Sequence, residues 1–371
     1  MARYKRRPTN LDLLPGLFDD TAVADSSQKQ NVASVERPEV KPERKPRQQP
    51  LSEGPRFINA PSPYDSLRPD NLQAPQPPAD ADNLTPLATL PAIKTMKFIS
   101  FGSGSSGNCS YLGSEHGGIL IDAGVDSSYV VTTLRNNGID MRDVGGIILT
   151  HDHGDHVRYA YSLLRANRHL RLYCTPKTLN GILRRHSISR RIKDYHQPIF
   201  KEFPFHLGPF SITPFEVSHD GTDNVGFFIE GSNQTMAIAT DMGYVTPRAD
   251  FYLRQANHMM IEANYDMKML LNGTYPEYLK ARIMGRSGHM DNVATAQYLA
   301  EIYNPALRSI FLCHLSHDNN TPEIALQTIT SALTEAGVNV TPLTGAHLAD
   351  DSTVQLSALP RFEATAAIIL R

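Results

Sequence analysis

The pattern of apolar and polar positions divides the chain near residue 95. Beyond that point, short apolar runs alternate with glycine-containing breaks, the pattern of strands closed by turns. A first series comprises KFISF (97–101), CSYL (109–112), GGILID (117–122) and GGIILT (145–150). Within it, DSSYVVTTLRNNG reads as a helix, opened by Asp126 as N-cap and closed at Gly138. A second series follows: FSITPFEV (210–217), VGFFIE (225–230), TMAIAT (235–240), HMMIEA (258–263) and RSIFLC (308–313). Helical patterns fall at PEYLKARIM, NVATAQYLAEIY and PEIALQTITSALTEAG, the last closed by Gly337. Two strand-rich halves in succession, each flanked by helices, predict an α/β fold of stacked sheets with helices outside.

Before residue 95 the texture differs. Fifteen of the 26 prolines lie before residue 92, with Gln, Ser, Asp, Arg and Lys between them, and such a stretch buries too little apolar surface to offset chain entropy. Residues 1–95 are therefore expected to form a disordered Pro-rich tail or linker, and residues 96–360 the folded domain. One apolar island, LDLLPGLFDD (11–20), loosely resembles the Leu-Phe peptides that bind bacterial sliding clamps, which marks it as a candidate docking segment. A chain of 371 residues, 40% hydrophobic and 20% charged, is of the soluble globular class. Its net charge of −2 gives no global pull toward nucleic acid or membrane. Cys109, Cys174 and Cys313 stand far apart, which suits a reducing compartment better than a disulfide framework. With no 18-residue apolar run and no signal-peptide pattern, no membrane association is expected and the expected address is the cytoplasm.

The stretch THDHGDH (150–156) follows directly on the apolar run GGIILT, so its side chains emerge at a strand end, where α/β sites form. His151 and His153 are two residues apart and can point the same way, while Asp155 and His156 can face a second point. Imidazole nitrogens with a carboxylate suit Zn²⁺ or Mn²⁺ better than Mg²⁺ or Ca²⁺, which prefer oxygen shells. The pattern His-x-His-x-Asp-His resembles the signature of the metallo-β-lactamase superfamily, which implies an αββα sandwich. Further ligands would then come from later strand ends. His219 follows FSITPFEV, Asp241 follows TMAIAT and His314 follows RSIFLC. The resemblance implies two divalent transition metal ions, one held by His151, His153 and His219, the other by Asp155, His156 and His314, with Asp241 bridging. Asp155 would also serve catalysis, and Asp122 in LIDAG would orient a ligand by hydrogen bonding.

GSGSSGN, SHDGTDNVGF, TDMGYV and the pair GRSGHMDN and LCHLSHDNNTPEIA resemble the YycJ (WalJ) family of metallo-β-lactamase-fold nucleases over roughly residues 96–350. Where that family often carries His, this chain has Tyr265, which is therefore left out of the metal set. His289, after the GRSG stretch, is similar to the histidine of the RNase Z enzymes that assists the leaving group, a role that an expelled alkoxide requires. Charge supports a polymeric substrate: from Val157 to Lys193 there are ten basic side chains and no acidic one, among them Arg158, Arg184, Arg185, Arg190 and Arg191. The function expected is metal-dependent cleavage of nucleic acid, with the resemblance implying a 5′ to 3′ exonuclease on DNA and RNA remaining open. The alternatives are a small-molecule hydrolase, such as a glyoxalase II-like thioesterase or a cyclic phosphodiesterase, and a non-enzymatic adaptor.

Overall fold

The computed structural model describes residues 93, 95–231, 233–343 and 353–370, so the expected tail, with its island at 11–20, lies outside the described residues. The first sheet takes β1 (Met96–Gly102), β2 (Cys109–Ser114), β3 (Gly117–Ile121), β4 (Val144–Ile148), β5 (Arg171–Cys174) and β6 (His196–Pro198) in that spatial order. The second takes β7 (Phe205–Leu207), β8 (Phe210–Glu216), β9 (Val225–Gly231), β10 (Gln234–Ala239), β11 (His258–Glu262) and β12 (Ser309–Cys313), then β14 (Val354–Ala358) and β13 (Val340–Pro342) at its edge. A last strand, β15 (Ile368–Leu370), pairs antiparallel with β1 and completes the first sheet. The folded unit thus runs past the expected boundary at residue 360, because a three-residue strand is too short to register as a periodic pattern.

Each sheet joins an antiparallel meander to a parallel half. β1, β2 and β3 are antiparallel neighbours, while β3 to β6 are parallel. In the second sheet β7 to β10 are antiparallel, and β10, β11, β12 and β14 are parallel. Parallel strands need crossovers, and helices supply them on the outer faces. On the first sheet these are α1 (Ser127–Asn136), α2 (Gly154–Val157), α3 (Ala160–Ala166) and α4 (Pro176–Arg185). On the second they are α5 (Pro247–Leu253), α6 (Met267–Asn272), α7 (Glu277–Ile283), α8 (Asn292–Ile302) and α9 (Pro322–Glu335). Capping follows the sequence: Asp126 accepts from the Ser128 and Tyr129 amides at the start of α1, and Thr175 and Thr321 cap α4 and α9 just before a proline.

Strands covered on both faces explain the continuous apolar runs. In β1, Met96 and Phe98 face the second sheet, whereas Ile99 and Phe101 face the helices. Phe98 meets Phe311 of β12 across the sandwich, ring centroids 5.0 Å apart, within a core that also holds Ile121, Ile148, Phe227, Ile238 and Cys313. The result is an αββα sandwich. Among the described residues no helix is long and apolar enough to cross a membrane.

Candidate metal centre

The parallel halves end together at one edge of the sandwich, and the candidate residues sit in the loops that leave it. The backbone turns sharply there. Asp122 after β3, Asp241 after β10 and His314 after β12 all adopt positive φ, at 58°, 53° and 54°, a conformation disfavoured for side chains with a Cβ and concentrated at functional sites.

His151, His153 and His219 converge: His151 Nε2 and His219 Nε2 lie 3.0 and 3.1 Å from His153 Nδ1. The ring nitrogens turned away from this point have partners. His219 Nδ1–H donates to the Gly288 carbonyl at 3.1 Å, which leaves the Nε2 lone pair facing inward. His151 Nδ1 contacts the Thr150 hydroxyl at 3.0 Å. Three nitrogens aimed at one another with their outer faces occupied fit a cation between them. Burial, with the charges of its histidine neighbours, holds His151 well below the ordinary histidine range, and burial with His219 lowers His153 to about 4. These rings are therefore neutral donors at pH 7.

Asp155, His156 and His314 form a second set. His156 Nδ1–H donates to Asp122 Oδ2 at 2.8 Å, so its Nε2 faces Asp155 Oδ2 at 3.5 Å and Asp241 Oδ2 at 3.4 Å. Asp122 also accepts from the Thr150 amide and hydroxyl, and so fixes the start of the motif as well as one ring. Asp241 reaches both sets, with Oδ1 3.7 Å from His219 Nε2 and 3.5 Å from His314 Nδ1. Burial opposes its charge, but the surrounding histidines hold Asp241 well below the usual carboxylate range. Burial opposes charge on His156 too, yet the carboxylates of Asp122, Asp241 and Asp155 raise it to about 9. Asp155 is brought down to about 2 against its burial, chiefly by His156 and His314. The seven donors are nitrogens and carboxylate oxygens of the kind that Zn²⁺ or Mn²⁺ takes.

His289 joins this edge, its ring 5.0 Å from that of His219 and 5.2 Å from that of His314. It precedes α8, which Asp291 caps. Its Nδ1 donates to Oε1 of Glu262 at 2.7 Å, and His314 Nδ1 donates to the same oxygen at 3.0 Å. Glu262 raises His289 against the effect of burial. Nothing in HMMIEA sets Glu262 apart from an ordinary strand-end residue, so sequence reasoning missed it. It also missed Asn108, whose amide, from the Gly-Ser turn after β1, lies 3.1 Å from Asp155 Oδ2 and 2.9 Å from His156 Nε2. Tyr265 is buried against Leu270 and Ile283, outside every candidate metal cluster among the described residues.

Asp152, between the first two histidines, turns the other way. Its carboxylate accepts from the Thr222 amide at 2.8 Å and hydroxyl at 2.6 Å. It also abuts Gly181 on α4, where a Cβ would lie 1.9 Å from Oδ2. Glycine at that position lets the basic helix pack directly on the metal motif. Arg185 Nε lies 3.6 Å from the same carboxylate, so Arg185 is bound to the motif. Arg184 and Arg190 line a groove of about 370 Å³ with Lys177, Asn180, Leu183 and Thr222. Arg191 is exposed on the neighbouring turn, and Arg158 lies apart from the groove, its Nη1 donating to the Ser106 carbonyl at 3.2 Å.

A family model described as the beta-lactamase superfamily domain matches residues 118–314. The exodeoxyribonuclease YycJ of Bacillus anthracis is 31% identical over 251 residues, which cover 66% of this chain and 92% of that protein. The exodeoxyribonuclease WalJ of Streptococcus pneumoniae is 29% identical over 245 residues, covering 66% and 90%. Among solved structures, the metallo-beta-lactamase fold protein YhfI from Bacillus subtilis shares the fold with a TM-score of 0.52 at 15% identity, over 74% of this chain and 100% of that one.

Proposed function

Since the chain belongs to the beta-lactamase superfamily, within its YycJ/WalJ nuclease family, we propose that this metal-dependent hydrolase cleaves the phosphodiester backbone of DNA, releasing nucleotides from a 5′ end. The observation that carries the reading is the juxtaposition of a seven-donor centre with a basic groove, joined through Asp152. A thioester or lactone hydrolase has no use for that groove, and an adaptor has no physical need of the donors.

His151, His153 and His219 would hold one divalent ion, Asp155, His156 and His314 the other, and Asp241 would lie between. When bound, the ions supply Lewis acidity toward the phosphate and a water of lowered pKa. The chain's residues do the rest. Lys177, Arg184 and Arg190 hold backbone phosphates in the groove. Asp155 accepts a hydrogen bond from the attacking water and orients it. His289, its Nδ1–H held by Glu262 Oε1, presents Nε2 as the proton donor to the departing oxygen.

Release of labelled nucleotides from end-labelled DNA and RNA, run beside a thioester and bis-p-nitrophenyl phosphate, tests this. Expected are close to two equivalents of Zn²⁺ or Mn²⁺ by elemental analysis, and DNA cleavage abolished by chelator. Thioester hydrolysis without DNA cleavage would make the chain a small-molecule hydrolase, and absence of both metal and activity would leave the adaptor.

A further inference from the structure

At the far side of the metal centre from the basic groove, an aromatic ring stands in solvent. β1 and β3 run in the same direction, so the turn after β1 leaves the sandwich at the same edge as the loops after β3 and β4. Along that edge the turn lies on one side of the THDHGDH loop, and α4, which follows β5, lies on the other. The segment after β14 crosses the turn. Ser103 N donates to the Pro360 carbonyl at 3.0 Å, while Ser103 Oγ accepts from the His314 amide at 2.9 Å. Pro360 is thus one residue's width from a metal-ligating position.

Phe362, two residues further on, is 65% exposed, although its mounting is firm. Arg361 donates to the Leu315 carbonyl and to Ser105 Oγ, both at 2.9 Å. Ala364 N donates to the Tyr129 hydroxyl at 2.8 Å, and Thr365 N to the Ser100 carbonyl at 2.9 Å. With the chain held on both sides of it, the ring keeps a fixed position at the rim. Around the ring stand two arginines and a histidine, the histidine bonded to Asp318 at 2.8 Å. The Arg361 guanidinium lies 5.5 Å from the Phe362 centroid, the His317 ring lies 6.4 Å away, and Arg158 is bonded to Ser106 beside Ser105. A base stacks on any aromatic face without regard to sequence, and flanking cations suit its phosphates.

We propose that the exposed ring of Phe362, on the rim opposite the basic groove, stacks a nucleobase of the substrate strand, so that the strand is gripped on both sides of the metal centre. This rests on the nuclease reading. Phe362 is then a positioning residue that sets where along the strand the cut falls.

The test uses the full chain and a short fluorescent phosphorothioate oligodeoxynucleotide, with binding read by anisotropy. Phe362→Ala is expected to weaken binding about 5- to 150-fold, the range of base–aromatic stacking, and Phe362→Trp to restore it. On an abasic oligonucleotide of the same length, the parent and the alanine variant should bind equally, since no base remains to stack. A parent that binds and cleaves DNA while Phe362→Ala binds the intact strand as tightly would overturn the stacking role alone. An alanine variant weakened equally on intact and abasic strands would overturn it too, in favour of a distorted rim. A metal-loaded parent that neither binds nor cleaves DNA would overturn the nuclease reading and this inference with it.

Discussion

Replacing Glu262 by glutamine changes one atom of a fully buried side chain, and the structure fixes what that atom meets. Oε1 accepts from His289 Nδ1 and His314 Nδ1 at 2.7 and 3.0 Å; Oε2 accepts from the amides of Met242 and Met290 at 2.8 and 3.2 Å. All four partners are donors, and a glutamine side chain offers only one acceptor end. With its NH₂ toward the backbone, two buried N–H groups lose their acceptor, at about 1–3 kcal/mol each. With its NH₂ toward the imidazoles, His314 must move its proton to Nε2, which faces Asp155 Oδ2 at 3.4 Å, and it loses the lone pair aimed at the centre. The first orientation lowers the melting temperature by at least about 4 °C at roughly 2 °C per kcal/mol. The second lowers metal affinity about 10- to 100-fold, the usual effect of removing a group that orients a ligand. Thermal melts of the metal-free chain, paired with competition against a colorimetric chelator, read both. A Glu262→Gln chain that matches the parent in melting temperature and in metal affinity would refute the reasoning.

His289→Ala is expected to retain metal and to slow DNA cleavage roughly 10²- to 10⁴-fold, as for loss of a general acid; bis-p-nitrophenyl phosphate, whose leaving group needs little protonation, should suffer far less, and equal losses on both substrates would argue against the role. Neutralising Lys177, Arg184 and Arg190 together should flatten the plot of log affinity against log salt by about 2 for single-stranded DNA, at roughly 0.7 per phosphate contact; an unchanged slope would make the groove a solvated face. Far from the centre, His258 is buried between Ser309 Oγ at 2.7 Å and Gln234 Oε1 at 3.0 Å, and burial lowers it to about 3. Its folded value lies below its unfolded one, so its contribution to stability is intact above about pH 6.5 and is lost as pH falls toward 3, at about 1.4 kcal/mol per unit. In denaturant titrations His258→Gln should flatten the pH dependence within that window, and identical slopes would remove the argument.

The architecture was legible where a strand is covered on both faces. GGIILT, TMAIAT and RSIFLC are uninterrupted apolar runs because one face meets the partner sheet and the other the helices, and each was recognised within a residue or two. β5 was not, since RLYC at its start carries a charged arginine, and β6, β7, β13 and β15 are three residues long. At the centre, the resemblance of His-x-His-x-Asp-His to the superfamily signature directed attention to the later strand ends, and the fold brings the seven residues so chosen together. Glu262 and Asn108 escaped because their importance lies in what they touch across the chain, 27 and 48 residues from the histidines they bond. The ten basic residues of the segment 157–193 do not all share one surface. Lys177, Arg184 and Arg190 share a groove, but Arg171 turns back on the carbonyls of Arg168, His169 and Leu170, before β5 and therefore at the opposite edge of its sheet from the centre.

The left-handed turns at Asp122, Asp241 and His314 have a consequence for anyone who redesigns this protein. A residue with a Cβ in that conformation costs on the order of 1–3 kcal/mol, and glycine would relieve the cost at each position. At Asp122 that relief is outweighed, because glycine would strip the buried Thr150 amide, Thr150 hydroxyl and His156 Nδ1–H of their acceptor. At Asp241 and His314 a screen of the metal-free chain for heat resistance, without an assay of turnover, would draw on the relief and delete a candidate metal donor. Thermal hardening and activity are thus opposed at those two backbone positions, and a stabilised variant of this fold should be sought in its sheets and outer helices, with all three turns held fixed.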